Sequence, residues 1–163
     1  MRIAVSLSRE SLREAAAKVR GASASLEARC AELCRRLGEI GVEAAVARVR
    51  KDTGELASGI RWEPLPDGSG LVVSEGPYAA FVEFGTGVVG QGTYPGELPD
   101  GWAYDQRRTP DAHDPDDPTK WFYRDRDGRV RSTRGQTACG YMAGAADEMR
   151  MAIDEVAREV LGG

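Results

Sequence analysis

A heptad repeat of apolar side chains in the first third of the sequence constrains the fold more than any other feature. One set of positions recurs every seven residues and a second set follows with an offset of four: Val19, Leu26, Leu33, Ile40 and Ala47, then Ser23, Cys30, Leu37 and Ala44. This a/d spacing predicts a long helix that begins after Ser8 and ends at about Lys51. Ser, Cys and Ala are small side chains that would bury little apolar surface in a free-standing coiled coil. The stripe is therefore expected to pack on the domain's own sheet. Packing against a helix, in this chain or in a neighbour, is the alternative.

The length of this helix is unusual for a chain of 163 residues. From Ala22 to Arg50 it would extend about 43 Å at about 1.5 Å per residue. We therefore expect part of it to project from the domain. Glycine lowers helix propensity, so Gly21, Gly38 and Gly41 are predicted weak points along it.

Two β-hairpins and a final helix are predicted downstream. Strands are expected at Ile60–Glu63 and Leu71–Ser74, and again at Trp121–Arg124 and Arg129–Ser132. The turns between them are rich in Gly, Pro and Asp. Apolar residues spaced by three and four predict the C-terminal helix: Met142, Ala145, Met149, Ile153, Val156 and Val160.

A short alternation of Ile3, Val5 and Leu7 with polar or small residues predicts one more strand, ahead of the first helix. The order of elements predicts an α+β fold in a single domain over residues 1–163. The long N-terminal helix and the C-terminal helix are expected to pack on a small, mostly antiparallel sheet. A long extended loop is expected at about residues 85–119.

The segment Tyr78–Thr86, with the sequence YAAFVEFGT, is ambiguous by periodicity. As a strand it would place Ala80, Val82 and Phe84 on one face; as a helical turn it would group Tyr78, Phe81 and Val82.

Glu83 lies within this apolar run, and a lone buried carboxylate is costly. It must be exposed or paired, and Arg61 and Arg124 are both candidate partners. We interpret it as a structural ion-pair or capping residue rather than a catalytic acid.

Net charge and cysteine usage restrict the functional class. The chain has 22 Lys and Arg against 26 Asp and Glu, a net charge of −4, which argues against broad nucleic-acid binding. Cys30, Cys34 and Cys139 are interpreted as small buried thiols in a reducing compartment. No apolar run is long enough to span a bilayer and the N-terminus is too polar for a secretory signal, so no membrane association is expected.

No catalytic, cofactor-binding or metal-binding residues are predicted. The sequence contains neither a phosphate-binding glycine loop nor a GxSxG elbow. Its single histidine, His113, lies in a loop rich in Asp and Pro, where a general base is hard to position. The aspartates around it form either a solvated acidic loop or, alternatively, a divalent-cation site: Asp111, Asp114, Asp116 and Asp117.

Arginines are concentrated on the second predicted hairpin: Arg124, Arg126, Arg129, Arg131 and Arg134. Aspartates alternate with them, which is typical of a solvated hairpin face. The functional alternative is contact with a DNA backbone, or with an acidic patch on another subunit.

Two short motifs occur in a fixed order, Thr53-Gly54-Glu55-Leu56 and then Tyr78–Thr86, about 25 residues apart. Over about residues 52–160 the chain resembles the small tail-component or neck proteins of long-tailed bacteriophages, the gene-product-ten-like family. That family has TG-x-L followed by YA-x-x-VE-x-GT. One departure is Gly140, where the family usually has a proline ahead of the last helix. The departure puts the entry angle of that helix in doubt, because proline fixes φ.

The resemblance implies a structural subunit of the virion at the head–tail junction or upper tail, present in the host cytoplasm during assembly. It implies a homo-oligomeric ring, a hexamer by resemblance, around DNA that is not recognised by sequence. Head-closure, tail-terminator or tail-tube proteins would be its neighbours. A tail terminator that caps the tail tube is the alternative within this class. A small DNA-binding or metal-dependent DNA-processing protein is the alternative of another class.

In such a ring, the segment Tyr78–Thr86 and the loop after it would form part of the subunit interface. The expected interface residues are Tyr78, Phe81, Glu83, Phe84, Gly85, Thr86, Trp102, Tyr104 and Trp121. Expected charge contacts, to the DNA channel or to another subunit, are Arg124, Arg126, Arg129 and Arg131. Residues Gly87–Pro118 are expected to be mobile in the free subunit, since Trp102 and Tyr104 would otherwise stay exposed.

Overall fold

The structure, a computed structural model, describes residues 8–50, 54–104, 113–125 and 127–162. The predicted strand at Ile3–Leu7, together with Thr53, Asp111 and Arg126, lies outside the described residues. The elements in chain order are helix α1 (Arg9–Arg48), helix α2 (Glu55–Ser58), strands β1 (Ile60–Pro64) and β2 (Gly70–Ser74), helices α3 (Ala79–Phe84) and α4 (Gly87–Gly90), strands β3 (Trp121–Arg124) and β4 (Val130–Thr133), and helix α5 (Tyr141–Leu161). The predicted α+β class is confirmed.

Helix α1 begins at a capping box, in which Ser8 and Ser11 exchange side-chain and backbone hydrogen bonds. It ends at Arg48, earlier than the predicted end at about Lys51, and Gly54, with φ of 81°, is the N-cap of α2. Along its second half α1 packs antiparallel against α5, with Arg36 paired to Glu159 and Arg48 paired to Glu148. It also packs on β1 and β2. Both expectations are therefore met in part, because α1 packs on the strands of the first hairpin and also against a helix of the same chain.

Two of the glycines in α1 allow close packing. Gly38 and Gly41 are both buried. The Trp62 ring lies where a β-carbon on Gly38 would be, and Met149 Sδ lies 2.5 Å from the β-carbon position of Gly41. A larger residue would push these neighbours away. Gly38 and Gly41 therefore have a packing role that their low helix propensity did not predict.

A small core joins the end of α1, β1 and the first turns of α5. Its buried side chains are Ala45, Val49, Ile60, Tyr141 and Ala145. The Tyr141 hydroxyl shares a hydrogen bond of 2.8 Å with Ser74 Oγ, which satisfies a polar group that burial would otherwise leave unpaired. This core fixes the start of α5 against β2.

The strands form two separate hairpins rather than one sheet. β1 pairs antiparallel with β2, from Ile60 opposite Ser74 to Pro64 opposite Gly70. β3 pairs antiparallel with β4, from Trp121 opposite Thr133 to Arg124 opposite Val130. No described helix is long and apolar enough to cross a membrane.

The first half of α1 projects from this body, as the helix length predicts. We call residues 9–28 the arm helix. The end of α5 lies beside the next residue, Arg29, which donates a hydrogen bond to the Leu161 carbonyl. Leu12, Val19 and Leu26 are 55%, 68% and 57% exposed. Cys30 is also exposed, whereas Cys34 and Cys139 are half-buried, so the expectation of three buried thiols is wrong for Cys30 and is met only in part for the other two.

Candidate subunit-interface site

The segment Tyr78–Thr86 is helical at its centre, which resolves its ambiguity. Residues Ala79–Phe84 form α3, with Tyr78 as its N-cap. Val82 is half-buried, whereas Tyr78 and Phe81 are exposed. The helical interpretation is therefore right, and of the three residues that it groups, only Val82 is withdrawn from solvent.

Glu83 is buried, with 4% of its surface exposed, and it caps the N-terminus of α5. Its Oε2 accepts from Met142 N at 2.9 Å, and its Oε1 accepts from Ala143 N at 3.0 Å. A third donor is the Tyr94 hydroxyl, 3.2 Å from Oε1. The first amides of a helix lack intrahelical acceptors and carry partial positive charge, so they stabilise this carboxylate, which has no cationic partner among the described residues.

The predicted capping role of Glu83 is confirmed, but both candidate arginine partners are wrong. Arg61 pairs with Glu63 and Glu75 on the first hairpin. Arg124 donates to the Gly128 carbonyl in the turn of the second hairpin. With its donors already in place, Glu83 has a structural role in this arrangement.

Gly140 allows α5 to start against α3. Its φ of 61° lies in the left-handed region, and α5 has no side-chain N-cap of its own. The backbone around it is tied to α3, because Cys139 N donates to the Val82 carbonyl at 2.9 Å and Gly140 N to the Glu83 carbonyl at 3.1 Å. A proline, with φ near −65° and no N–H, would fit neither requirement. Gly140 therefore sets the angle at which α5 begins, which resolves the doubt raised by the missing proline.

The last residues of the segment are tied to the strand-to-helix connection. Thr86 and Gln136 exchange two backbone hydrogen bonds, of 2.9 and 3.0 Å. Gly85 has φ of 80°, and a β-carbon there would lie 2.7 Å from Ala138 N. Glycine at position 85 is therefore dictated by a positive φ and by close backbone approach.

Part of the long loop folds back on α3 within the same chain. The Trp102 ring lies 5.8 Å from the Phe81 ring and 5.0 Å from the Phe84 ring, between centroids. The Tyr104 hydroxyl donates to the Phe84 carbonyl at 2.9 Å. Both side chains are half-buried, so the assumption that they stay exposed in a single subunit is wrong. Trp102 Nε1 is buried without a hydrogen-bond partner in the described structure.

Trp121 lies near the same segment, beyond Thr86. Its ring is 2.9 Å from where a β-carbon on Gly87 would be. The predicted interface residues Tyr78 to Thr86, Trp102, Tyr104 and Trp121 are thus brought to one region around α3 and α4. Val88 and Val89 of α4 add exposed apolar surface there.

A cavity of about 620 Å³ opens beside Glu83. Ser74, Phe84, Tyr94, Pro95, Tyr141 and Arg150 contribute to its walls. Burial, and to a lesser degree the Glu83 charge, raises the pKa of Tyr94, so its hydroxyl stays protonated and donates to Glu83 at neutral pH. The recess is chiefly apolar and is lined by groups that are already hydrogen-bonded.

The arginines of the second hairpin and the aspartates of the preceding loop compensate one another locally. Among the described arginines, Arg129 lies 4.0 Å from Asp127, and Arg131 lies 2.9 Å from Asp125. Arg134 pairs with Asp117 at 2.5 Å. Lys120 pairs with Asp114 at 2.9 Å, and no group of three potential metal-ligating residues occurs within the described ranges.

Sequence reasoning missed Tyr94 and the two α5 amides that bind Glu83. Tyr94 lies in a stretch of Gly, Thr and Pro that carries no periodic signal. One signal was present: Gly140 leaves α5 without a local capping side chain, so a distant acceptor was required.

Comparisons with protein-family models, with curated proteins and with solved structures find no match to this chain.

Proposed function

We propose that this protein is a structural subunit of the head–tail junction of a phage or prophage-derived particle. In this role it forms a homo-oligomeric ring around the DNA channel and joins the tail to the head. It acts by assembly and has no catalytic role. The observation that carries the proposal is the segment Tyr78–Thr86, which Glu83 ties to α5 while the Tyr78 and Phe81 side chains remain exposed.

Rigid support of this segment favours a docking role. Glu83 and two backbone hydrogen bonds from residues 139–140 tie α3 to the start of α5, and α5 in turn packs on α1. Preorganised surfaces lose less conformational entropy on binding. A protein that must close a ring of identical contacts benefits from such a surface.

Exposed aromatic and apolar groups around α3 and α4 supply the contact chemistry. Tyr78 is 69% exposed, and Phe81, Val88 and Val89 are also exposed. Aromatic side chains are enriched at the energetically important centres of interfaces. The recess beside Glu83 could accept an apolar side chain from the next subunit.

Local charge compensation on the second hairpin favours assembly over nucleic-acid binding. Arg129, Arg131 and Arg134 each lie beside an aspartate of the same chain. Binding to DNA phosphates would require these pairs to open. The DNA-binding alternative therefore receives less support than the ring.

The proposal is tested by imaging particles and by measuring assembly. Labelled protein should appear at the head–tail junction or upper tail in particle images, and the purified chain, alone or with its neighbour proteins, should form rings in native mass spectrometry. Replacing Tyr78 and Phe81 by serine should abolish ring formation. Met151→Ser, at a side chain that is 70% exposed on α5, is the matched control and should leave rings intact. Absence of the protein from particles would overturn the proposal.

A further inference from the structure

The arm helix carries an apolar stripe that α5 stops covering part-way along α1. Leu33 and Leu37 of this stripe are half-buried where α1 lies beside α5. The stripe continues in the same phase to Leu26, Val19 and Leu12, each more than half exposed. α5 therefore covers the apolar stripe on the second half of α1, whereas no described residue covers the continuation of the same stripe on the first half.

The composition of this stripe fits an antiparallel copy of itself. Its large positions are Leu12, Val19 and Leu26, and its small positions are Ala16, Ser23 and Cys30. In an antiparallel pair, a and d positions meet in layers, so each large residue faces a small one: Leu12 with Cys30, Val19 with Ser23, and Leu26 with Ala16. Alternation of large and small side chains across an interface gives close packing without voids.

Charges beside the stripe favour the same orientation. In the heptad register, Arg13, Arg20 and Glu27 occupy the e positions, and in antiparallel pairs e positions face e positions. Arg13 of one copy then faces Glu27 of the other, which gives two attractive contacts by symmetry, while Arg20 meets its own copy at the centre. Glu27 accepts a hydrogen bond from Ser23 Oγ at 3.2 Å, and its exposed carboxylate remains accessible to a second partner.

The direction of α5 supports this arrangement. α5 runs antiparallel to α1 and ends beside Arg29, where Leu161 accepts its hydrogen bond. A second arm helix that is antiparallel to the first, of about 30 Å for residues 9–28 at about 1.5 Å per residue, would run in the same direction as α5.

We propose that the arm helices of two copies of this chain pair antiparallel through Leu12, Val19 and Leu26, forming a two-fold interface separate from the surface around α3. The pairing uses a different surface from the proposed ring, does not depend on it, and is compatible with it. A two-fold contact is isologous, whereas ring closure requires two different patches.

Charge reversal with rescue tests the pairing on the full chain by sedimentation equilibrium. Arg13→Glu and Glu27→Arg should each raise the dimer dissociation constant by about tenfold, and the double variant should restore it. Lys18→Glu and Glu14→Arg, which make the same reversals on the outward face of the helix, are the matched controls and should change it little. A native chain that stays monomeric at all concentrations would overturn the proposal. So would a double variant that dimerises no more tightly than the single variants.

Disulfide formation tests the orientation. The antiparallel layers place Leu12 opposite Cys30 of the other copy, so Leu12→Cys should yield a covalent dimer on mild oxidation while the native chain does not. Parallel pairing would instead place Cys30 opposite Cys30 and cross-link the native chain through that residue. Cross-linking of the native chain that is lost in Cys30→Ser would therefore contradict the antiparallel arrangement.

Discussion

Two halves of α1 carry the same heptad pattern and meet different surroundings. Residues 33–48 lie between α5 and the first hairpin, and contain all three of the helix's buried residues, Gly38, Gly41 and Ala45. The arm helix, residues 9–28, leaves its apolar stripe exposed. The repeat therefore specifies where a partner should lie along the helix, while the length of α5 decides how much of it this chain covers. We expect substitutions that affect the covered half to change folding stability, and substitutions in the arm helix to change association.

The largest effect is expected at Glu83, which anchors the helix that covers residues 33–48. Glu83→Ala would leave two α5 amides and the Tyr94 hydroxyl without an acceptor. Loss of a buried, charged acceptor predicts destabilisation by about 3 kcal/mol, measured by urea unfolding. Glu83→Gln, which keeps one carbonyl oxygen, should lose less.

The control for this experiment is Glu43→Gln, at an exposed carboxylate on α1. It should change the free energy of unfolding by less than about 0.5 kcal/mol, the usual range for surface substitutions. Equal losses of unfolding free energy at Glu43 and Glu83 would show that capping of α5 by Glu83 does not hold α5 against residues 33–48 of α1.

The next effect distinguishes the two halves of α1 directly, because each contains a glycine that can be replaced by alanine. Gly38→Ala would place a methyl group against Trp62, whose ring also lies close to Gly70. This overpacking should destabilise the domain by about 2 kcal/mol. Nothing lies within 4 Å of a β-carbon at Gly21 in the arm helix. Gly21→Ala should therefore stabilise its helix locally by about 0.5–1 kcal/mol.

Urea unfolding measures the first change, and amide hydrogen exchange over residues 15–28 measures the second. Opposite signs are the expected outcome. If both substitutions stabilise the chain, the covered half of α1 is less tightly packed than the Gly38–Trp62 contact implies.

Much of the fold was predictable because its signals are local. The apolar spacing in α1 and α5 located both helices, and dense turn residues located both hairpins to within a residue or two. The roles of Gly38 and Gly41 were not predictable, since helix propensity describes an isolated helix and not the Trp62 and Met149 side chains that approach it.

The candidate site was predictable only in part, for a similar reason. A buried glutamate in an apolar run required a partner, and a capping role was inferred from the sequence. Its actual donors come from residues 94, 142 and 143, which no spacing rule connects to Glu83. Likewise, the return of Trp102 and Tyr104 onto α3 depends on the path of a loop without periodicity.

The smallest effect concerns an ion pair of the body that anchors the loop ahead of β3. Thr119 and the Arg134 guanidinium donate to Asp117, and these contacts lower its pKa from 3.8 to about 2. A carboxyl whose folded pKa lies below its unfolded value stabilises the fold above the unfolded pKa, and that contribution disappears as pH falls through the folded pKa. The native chain should therefore be more stable than Asp117→Asn at pH 6, and the difference should vanish between about pH 4 and pH 2. Urea midpoints over this range measure it, with Asp116→Asn as the neighbouring control. A difference that persists unchanged at pH 2 would assign the effect of Asp117 to packing rather than charge.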